Sequence, residues 1–297
     1  MSGTAIRPAR PEDRTAVLAF CEATWDDGDY IASVWDEWLA DDTGELLVAT
    51  VDLRPVALAH VRMVSADEAW IEGVRVDGTL RRRGLGRALT HASIGAARAR
   101  GAEVLRLFTS SDNTASQRLF TGAGFERVAE FVTYTAQALS VVPRDILPAG
   151  ARLRGGDPAD LDQFWIFLEA STLVPMNGGL LIENWWAREL TDALLEHRLA
   201  EGDVRVLEAW DTVQALAIIQ SRLASKRGPS LVAQYLDGTA ESISRMALAL
   251  RGEAAQAGLE RVVVTIPDSL ILHDAMDGAS YTRHSPEHAL WCYALAL

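Results

Sequence analysis

Seven consecutive residues, Arg81-Arg82-Arg83-Gly84-Leu85-Gly86-Arg87, gather four arginines and two glycines in a chain whose formal net charge is −13. Glycine lets backbone approach a ligand closely and adopt conformations that strain other residues. Arginine makes charge-assisted bonds to phosphate. Together these residues have the chemistry to hold a polyanion. Neither common phosphate signature is present: there is no GxxxxGK[ST], and two glycines are too few for GxGxxG. The plainer alternative is an arginine-rich turn that caps a helix in solvent. A second candidate stands nine residues before Arg81: the carboxylate of Glu72, able to take a proton as a general base or to remain a solvated acid. The first cysteine, Cys21, lies in an apolar helical pattern and reads as a buried side chain rather than a nucleophile.

The elements that must position these groups are legible around them. Glu68 to Val76 (EAWIEGVRV) alternates, with Trp70, Glu72, Val74 and Val76 on one expected face of a strand. Leu85, Leu89, Ala92 and Ala96 recur at helical spacing, and Gly101 ends the helix. The arginine-glycine stretch therefore joins a strand to a helix N-terminus. Unpaired N–H groups and a partial positive charge favour anions there.

The chain repeats its plan. IRPARPEDRTAVLAFCEAT (6–24) aligns without gaps to LRGGDPADLDQFWIFLEAS (153–171), matching Arg7 with Arg154, Pro11 with Pro158 and Asp13 with Asp160. Asp77-Gly78-Thr79 recurs as Asp237-Gly238-Thr239. RGAEVLRLFT (100–109) corresponds to AGLERVVVTI (257–266), and GAGFER (122–127) to DGASYTR (277–283). Four matches in one order indicate a duplication. The expected domains are 1–142 and 151–297, joined by a linker at 143–150 that carries Pro143 and Pro148. Asp77 to Gly101 spans 24 positions but Asp237 to Gly258 only 21. The second copy is short where the first has its arginines and glycines, and is expected to keep the scaffold without the loop.

Val76, Arg81, Gly84 and Gly86, followed by Asn113, Ala115, Leu119, Phe120, Gly124 and Phe125, form an ordered pair of motifs. In this the first 4–138 residues resemble the GCN5-related N-acetyltransferases. The resemblance implies an α/β fold with a mixed sheet, two tandem acyl-CoA N-acyltransferase-like domains, and acetyl-CoA as cosubstrate. It implies that the backbone of Arg82, Arg83, Gly84, Leu85, Gly86 and Arg87, helped by Arg81, holds the pyrophosphate. The Val74-Arg75-Val76 backbone would pair with the pantetheine arm, and Asn113 would lie near the thioester. Glu72 would be the base. Many members carry tyrosine where this chain has Phe120, so the acid for the leaving thiolate is missing; Ser116 and Tyr134 are other hydroxyls to consider. The implied activity is direct acetyl transfer to a small-molecule amine. A non-catalytic CoA-binding protein, a protein-lysine acetyltransferase and an interaction scaffold are the alternatives.

Composition narrows the setting. Hydrophobic residues make up 49% and charged residues 23% of 297, a globular mix. The acidic balance disfavours nucleic acid and anionic membranes as partners. The two cysteines form no framework, no signal peptide or spanning segment is evident, and the six histidines show no metal pattern. A cytoplasmic monomer or homodimer without metal is expected. Trp25, Trp35 and Trp38 lie among acidic residues between 21 and 42; they either wall a pocket for a cationic amine or form one buried helix stripe. MNGGLLIENWW (176–186) either closes over the first domain's pocket or is core.

Overall fold

A computed structural model of the chain describes residues 3–22, 24, 28–141, 146–183, 185–222, 228–285 and 287–297. Trp25 and residues 143–145 of the expected linker lie outside the described residues. In chain order the elements are β1 (Thr4–Pro8), α1 (Arg14–Cys21), α2 (Ile31–Leu39), β2 (Gly44–Val51), β3 (Arg54–Met63) and β4 (Glu68–Val76). There follow α3 (Leu85–Ala99), β5 (Val104–Ser110), α4 (Thr114–Thr121), β6 (Glu126–Gln137), β7 (Ala151–Gly155), α5 (Leu161–Glu169), β8 (Leu180–Glu183) and β9 (Trp186–Glu189). The remainder is α6 (Asp192–Ala200), β10 (Val204–Ala209), β11 (Thr212–Arg222), β12 (Ser230–Gly238), α7 (Ala240–Gln256), β13 (Arg261–Pro267), α8 (Leu270–Gly278), β14 (Thr282–His284) and β15 (Leu290–Ala296).

The chain divides into two compact units, Met1–Arg127 with Cys292–Leu297, and Val128–Trp291. The division falls at 127/128 rather than in the 143–150 segment, and the last six residues group with the first unit. Local sequence cannot register this, because the grouping depends on which strand edge each terminal strand fills.

In the first unit the strand order is β1-β2-β3-β4-β5-β15. β1 to β4 pair antiparallel and β4 runs parallel to β5, so the sheet is mixed. β2 and β3 are apolar on both faces because helices cover both. Leu46, Val48 and Leu58 meet Val17 and Cys21 of α1 and Ile31, Trp35 and Trp38 of α2. Their neighbours in the alternation, Leu47, Ala49, Ala57 and Ala59, meet Leu85 and Leu89 of α3. Trp35 and Trp38, three apart, form one buried stripe at 1% and 5% exposure, so neither indole walls an open pocket.

The second unit has strand order β6-β13-β12-β11-β10-β7, with β14 on β6. β12 runs parallel to β13, and β13 antiparallel to β6. α7 packs with Ile243, Met246, Ala247 and Leu250 inside this unit's core. Within the MNGGLLIENWW stretch, Leu180–Glu183 form β8, which pairs with β9; Leu181 is fully buried in that unit's second cluster, and Asn184 lies outside the described residues.

Matching local devices appear in both units. Arg7 grips Asp13 with two bonds of 2.6 and 2.8 Å, and Asp13 also accepts from the N–H of Arg10 at 2.8 Å. Arg154 holds Asp160 at 2.5 Å, and Asp160 accepts from Asp157 N–H at 3.0 Å. Each device ties an edge strand to the turn that starts the first helix. The hydrogen bond from Arg7 holds the Asp13 carboxyl below the usual carboxylate range. A depressed carboxylate stabilises the fold above its unfolded-state value, ~3.9, and loses that contribution as pH falls through its folded value. Asp13→Asn is expected to cost about 1.5–3 kcal/mol at pH 7. The deficit should shrink as pH drops below about 4, which urea denaturation at pH 7 and pH 3 measures.

Candidate active site

β4 carries the centre of the site because it leaves its neighbour partway. Its parallel pairing with β5 covers Glu68 with Val104, Ala69 with Leu105 and Trp70 with Arg106, and no pairing is seen beyond. The register with β5 therefore ends at Trp70, six residues before the end of β4. An unpaired edge in the interior of a sheet is a template for an extended ligand.

A bulge explains the change of face. The β3–β4 register shifts between Leu58 and His60, at Gly73, whose φ is +65°. Before it, Trp70 and Glu72 lie on the α1–α2 face, opposite Arg62 and His60. After it, Val74 and Val76 pack with Leu85 and Leu89 on the α3 face. The expected single stripe of Trp70, Glu72, Val74 and Val76 is therefore split, since one extra residue inverts the alternation. Gly73 is required twice: a Cβ there would sit 2.5 Å from Trp38 Cζ3 and 2.6 Å from Cη2, and its φ disfavours L side chains. Gly73→Ala is expected to destabilise the fold by about 2–4 kcal/mol in denaturant titration, through backbone strain and overpacking.

The arginine-glycine stretch lies at the end of that strand. Eight residues, 77–84, separate β4 from α3. Asp77 closes the first turn by accepting from Thr79 N–H at 2.9 Å and Thr79 Oγ1 at 2.7 Å. Arg82 at φ +62° and Gly84 at φ +81° turn the backbone through left-handed conformations. Among the described residues none of the amides from Arg81 to Arg87 donates to a protein oxygen; the first α3 bond closes from Ala88 N–H to Gly84 at 2.9 Å. Arg81, Arg82, Arg83 and Arg87 are exposed, and no ion pair within the described residues engages them. A Cβ at Gly86 would meet Leu119 only at 3.5 Å, an ordinary contact. Packing thus does not demand this glycine, whereas close approach of a ligand would. The loop has the features that suit a pyrophosphate: a fan of free N–H groups, a helix N-terminus and exposed positive charge.

Glu72 lies on the other face of β4, with its carboxylate 16% exposed. Its Oε1 is 3.1 Å from Nδ1 of His60 and 3.7 Å from Nε of Arg62. The carboxylate is thus held but still reaches solvent, the condition a general base needs. His60, Asp41 and Arg62 are neighbours that sequence reasoning did not single out; the available signal was a histidine inside the apolar run PVALAHV.

The other expected residues take definite places. Arg75 directs its side chain to the α1–α2 face, donating to Asp29 at 2.6 Å, with its guanidinium 5.3 Å above the Tyr30 ring. Asn113 caps α4, its Oδ1 accepting from Ser116 N–H at 3.0 Å. Phe120 is 3% exposed and packs edge-on against Phe125 at 5.3 Å. Tyr134 belongs to the core of the second unit, where burial raises its phenol, so it is not a hydroxyl of the first unit. Burial pushes the thiols of Cys21 and Cys292 up to about 12, which leaves neither as a nucleophile at neutral pH.

The second unit differs at the matching place. Only Thr239 separates β12 from α7, and it caps the helix, its side chain accepting from Ser242 N–H at 3.3 Å. A Cβ at Gly238 would meet the Gln214 carbonyl at 2.5 Å. Asp237, the counterpart of Asp77, turns inward to accept from Ser171 and Tyr235 hydroxyls, both at 2.6 Å. Backbone that is capped and crowded offers no anion cradle. Among the described residues no group of three or more potential metal ligands is found, and no helix is long and apolar enough to cross a membrane.

Residues 12–125 match the acetyltransferase (GNAT) family. Over 81 residues the chain is 44% identical to the L-2,4-diaminobutyric acid acetyltransferase of Streptomyces coelicolor, covering 25% of this chain and 48% of that protein. The chain thus spans about half the length of the curated relative it matches. A GCN5-related N-acetyltransferase from Sphaerobacter thermophilus has a similar structure, with a TM-score of 0.64 at 14% identity over 98% of this chain and 95% of that one. A GCN5-related glucosamine N-acetyltransferase region of a fungal multi-domain GH3 β-N-acetylglucosaminidase reaches a TM-score of 0.62 at 14% identity, over 99% of this chain and 38% of that one. At such identities the likeness is one of fold, here a mixed α/β fold along the whole chain.

Proposed function

We propose, from the premise that residues 12–125 are a domain of the acetyltransferase (GNAT) family, that this protein transfers an acetyl group from acetyl-CoA to the primary amine of a small molecule. The observation that carries the reading is the fan of free amides from Arg81 to Arg87 at the end of β4, a strand whose register with β5 stops at Trp70. The amides and arginines would hold the pyrophosphate, and the β4 edge the pantetheine arm. Acetyl-CoA supplies the acetyl group as a thioester. Glu72 takes the proton from the attacking amine. With both thiols buried, attack is direct, without an acyl-enzyme. A diamino acid is the first acceptor to try, because the relative from Streptomyces coelicolor is named for one.

The second unit is proposed as a degenerate copy, on the evidence of the shared arginine–aspartate device and the capped turn at Thr239. Its site is closed to CoA, and the expected stoichiometry is one acetyl-CoA per chain. A cytoplasmic location is part of the same proposal. Phe120 favours a second reading, a CoA-binding protein without turnover, because its buried ring has no proton to give the thiolate. Calorimetry with acetyl-CoA, followed by release of free CoA thiol in the presence of L-2,4-diaminobutyrate and putrescine, tests both. One site and amine-dependent release support transfer. One site without release supports the second reading, and no binding overturns both.

A further inference from the structure

Among the described residues two arginines are buried, Arg198 and Arg251, at 8% and 9% exposure. A buried cation is costly unless it is paired. Arg198 is paired twice, with Glu183 and, at 2.9 Å, with Asp203. Arg251, on α7, meets no carboxylate among the described residues. Its Nε donates to the Gln137 carbonyl at 2.9 Å and its Nη1 to the Ala279 carbonyl at 2.8 Å. Its guanidinium carbon stands 5.9 Å from the centre of the Tyr281 ring. Two carbonyls and an aromatic ring stabilise the charge without neutralising it. Nη2 has no protein acceptor among the described residues.

Arg251 lines a cleft of about 300 Å³ in the second unit, the lower end of the size range for small-molecule sites. The cleft lies where β6 ends between two partner strands. On one side Gln137 is opposite Arg261 of β13, and on the other Thr135 is opposite Thr282 of β14. Arg261 brings a second guanidinium to the lining. Thr135, Ser280 and Thr282 bring hydroxyls, and no aspartate or glutamate is among the described lining residues. None of the three hydroxyls bonds a protein group among the described residues. Ser280 follows α8 at φ +57°, its N–H donating to Asp277 O at 2.9 Å. This is the left-handed position where a helix commonly ends on glycine, and here it carries a hydroxyl at the rim of the cleft.

We propose that this cleft binds a small oxyanion, a phosphate group either free or carried on a small molecule. The inference goes beyond acetyl transfer and does not rest on it, because every residue involved belongs to the second unit. Arg251 lies about three turns along α7 from the capped turn at Thr239, so the site is separate from the counterpart of the arginine-glycine loop. Arg251 Nη2 and Arg261 supply charge-assisted donors. The three hydroxyls complete the shell of a tetrahedral group as uncharged donors. The Gln137 and Ala279 carbonyls hold the Arg251 guanidinium in place, so little order is lost when an anion arrives. The bound anion neutralises the buried cation that no carboxylate of the described residues reaches.

The test titrates the full chain with inorganic phosphate and with glycerol 3-phosphate by calorimetry, sodium chloride holding the ionic strength constant. A saturable heat is expected. The arginine-rich turn of the first unit competes for phosphate, so variants assign the heat. Arg261→Gln should weaken phosphate binding by about tenfold or more, as expected for loss of a hydrogen bond to a charged group. Arg82→Gln combined with Arg83→Gln should leave binding at the cleft in place. Arg251 is left unchanged because it also ties β6 to the residue that follows α8. Ser280→Gly separates binding from folding. It gives the left-handed position the residue that adopts it most easily, so a thermal melt should show no loss of stability. Phosphate affinity should nevertheless fall by about threefold or more with the lost hydroxyl. Tighter binding of glycerol 3-phosphate than of phosphate identifies a phosphorylated small molecule, and any other order the free ion; both support the site. The absence of a saturable heat, its complete loss in the Arg82→Gln, Arg83→Gln chain, or an affinity unchanged by Arg261→Gln or by Ser280→Gly overturns the site, whatever the result with acetyl-CoA.

Discussion

Gly84→Val should lower acetyl-CoA affinity by about 100-fold or more while leaving the protein folded. The residue sits at φ +81°, and no protein atom lies within 4 Å of where its Cβ would be. The cost is therefore backbone conformation, roughly 1–2 kcal/mol for an L residue held left-handed. A β-branched side chain prefers to leave that conformation, and doing so re-aims the amides on both sides. Hydrogen bonds to charged groups are worth about 1.5–3 kcal/mol each, so two misdirected amides account for the loss. Gly78→Ala is the matched control, since Gly78 has ordinary φ and open space, and it should change affinity little. Calorimetry with acetyl-CoA and a thermal melt separate the two effects. An affinity unchanged by Gly84→Val would show that the arginine-rich turn is only a helix cap. Raising salt should weaken binding further, because four exposed arginines act through screened charge.

Glu72→Gln should reduce turnover by about 10²–10⁴-fold, the range for loss of a general base, with acetyl-CoA affinity within twofold of the unmodified chain. The amide keeps the size and a contact to His60, so the fold is retained. Glu72 lies on the α1–α2 face, whereas the amide fan follows Val76 on the α3 side of the bulge. Chemistry and cosubstrate binding are thereby separable by substitution. Initial rates of thiol release with diaminobutyrate decide the matter. A fall in affinity with unchanged kcat would remove Glu72 from the role of base.

Much of this arrangement was legible before the structure because it is local. A strand period, a helix period and the glycine-rich turn between them depend on neighbours within a few residues. The shortened second turn was visible as missing residues between Asp237 and Gly258. The family resemblance lay in residues spaced along one motif pair.

The rest depended on contacts between segments distant in sequence. The alternation along β4 pointed to one face for Glu72 and Val74, but the bulge at Gly73 inverts it, because Trp38 from α2 must occupy the space a side chain would take. Tyr134 stands only nine residues beyond Phe125, yet it packs in the other unit's core, because β6 pairs with β13. His60 was not singled out in the sequence; two carboxylates, twelve residues after it and nineteen before it, come within 3.1 Å of its ring only once β2, β3 and β4 pair. Sequence alone determined that a strand, an amide-rich turn and a helix follow one another with a carboxylate nearby. Tertiary structure decided which face that carboxylate occupies and what it touches, since the face is set by sheet register and packing, and neither is a property of any single segment.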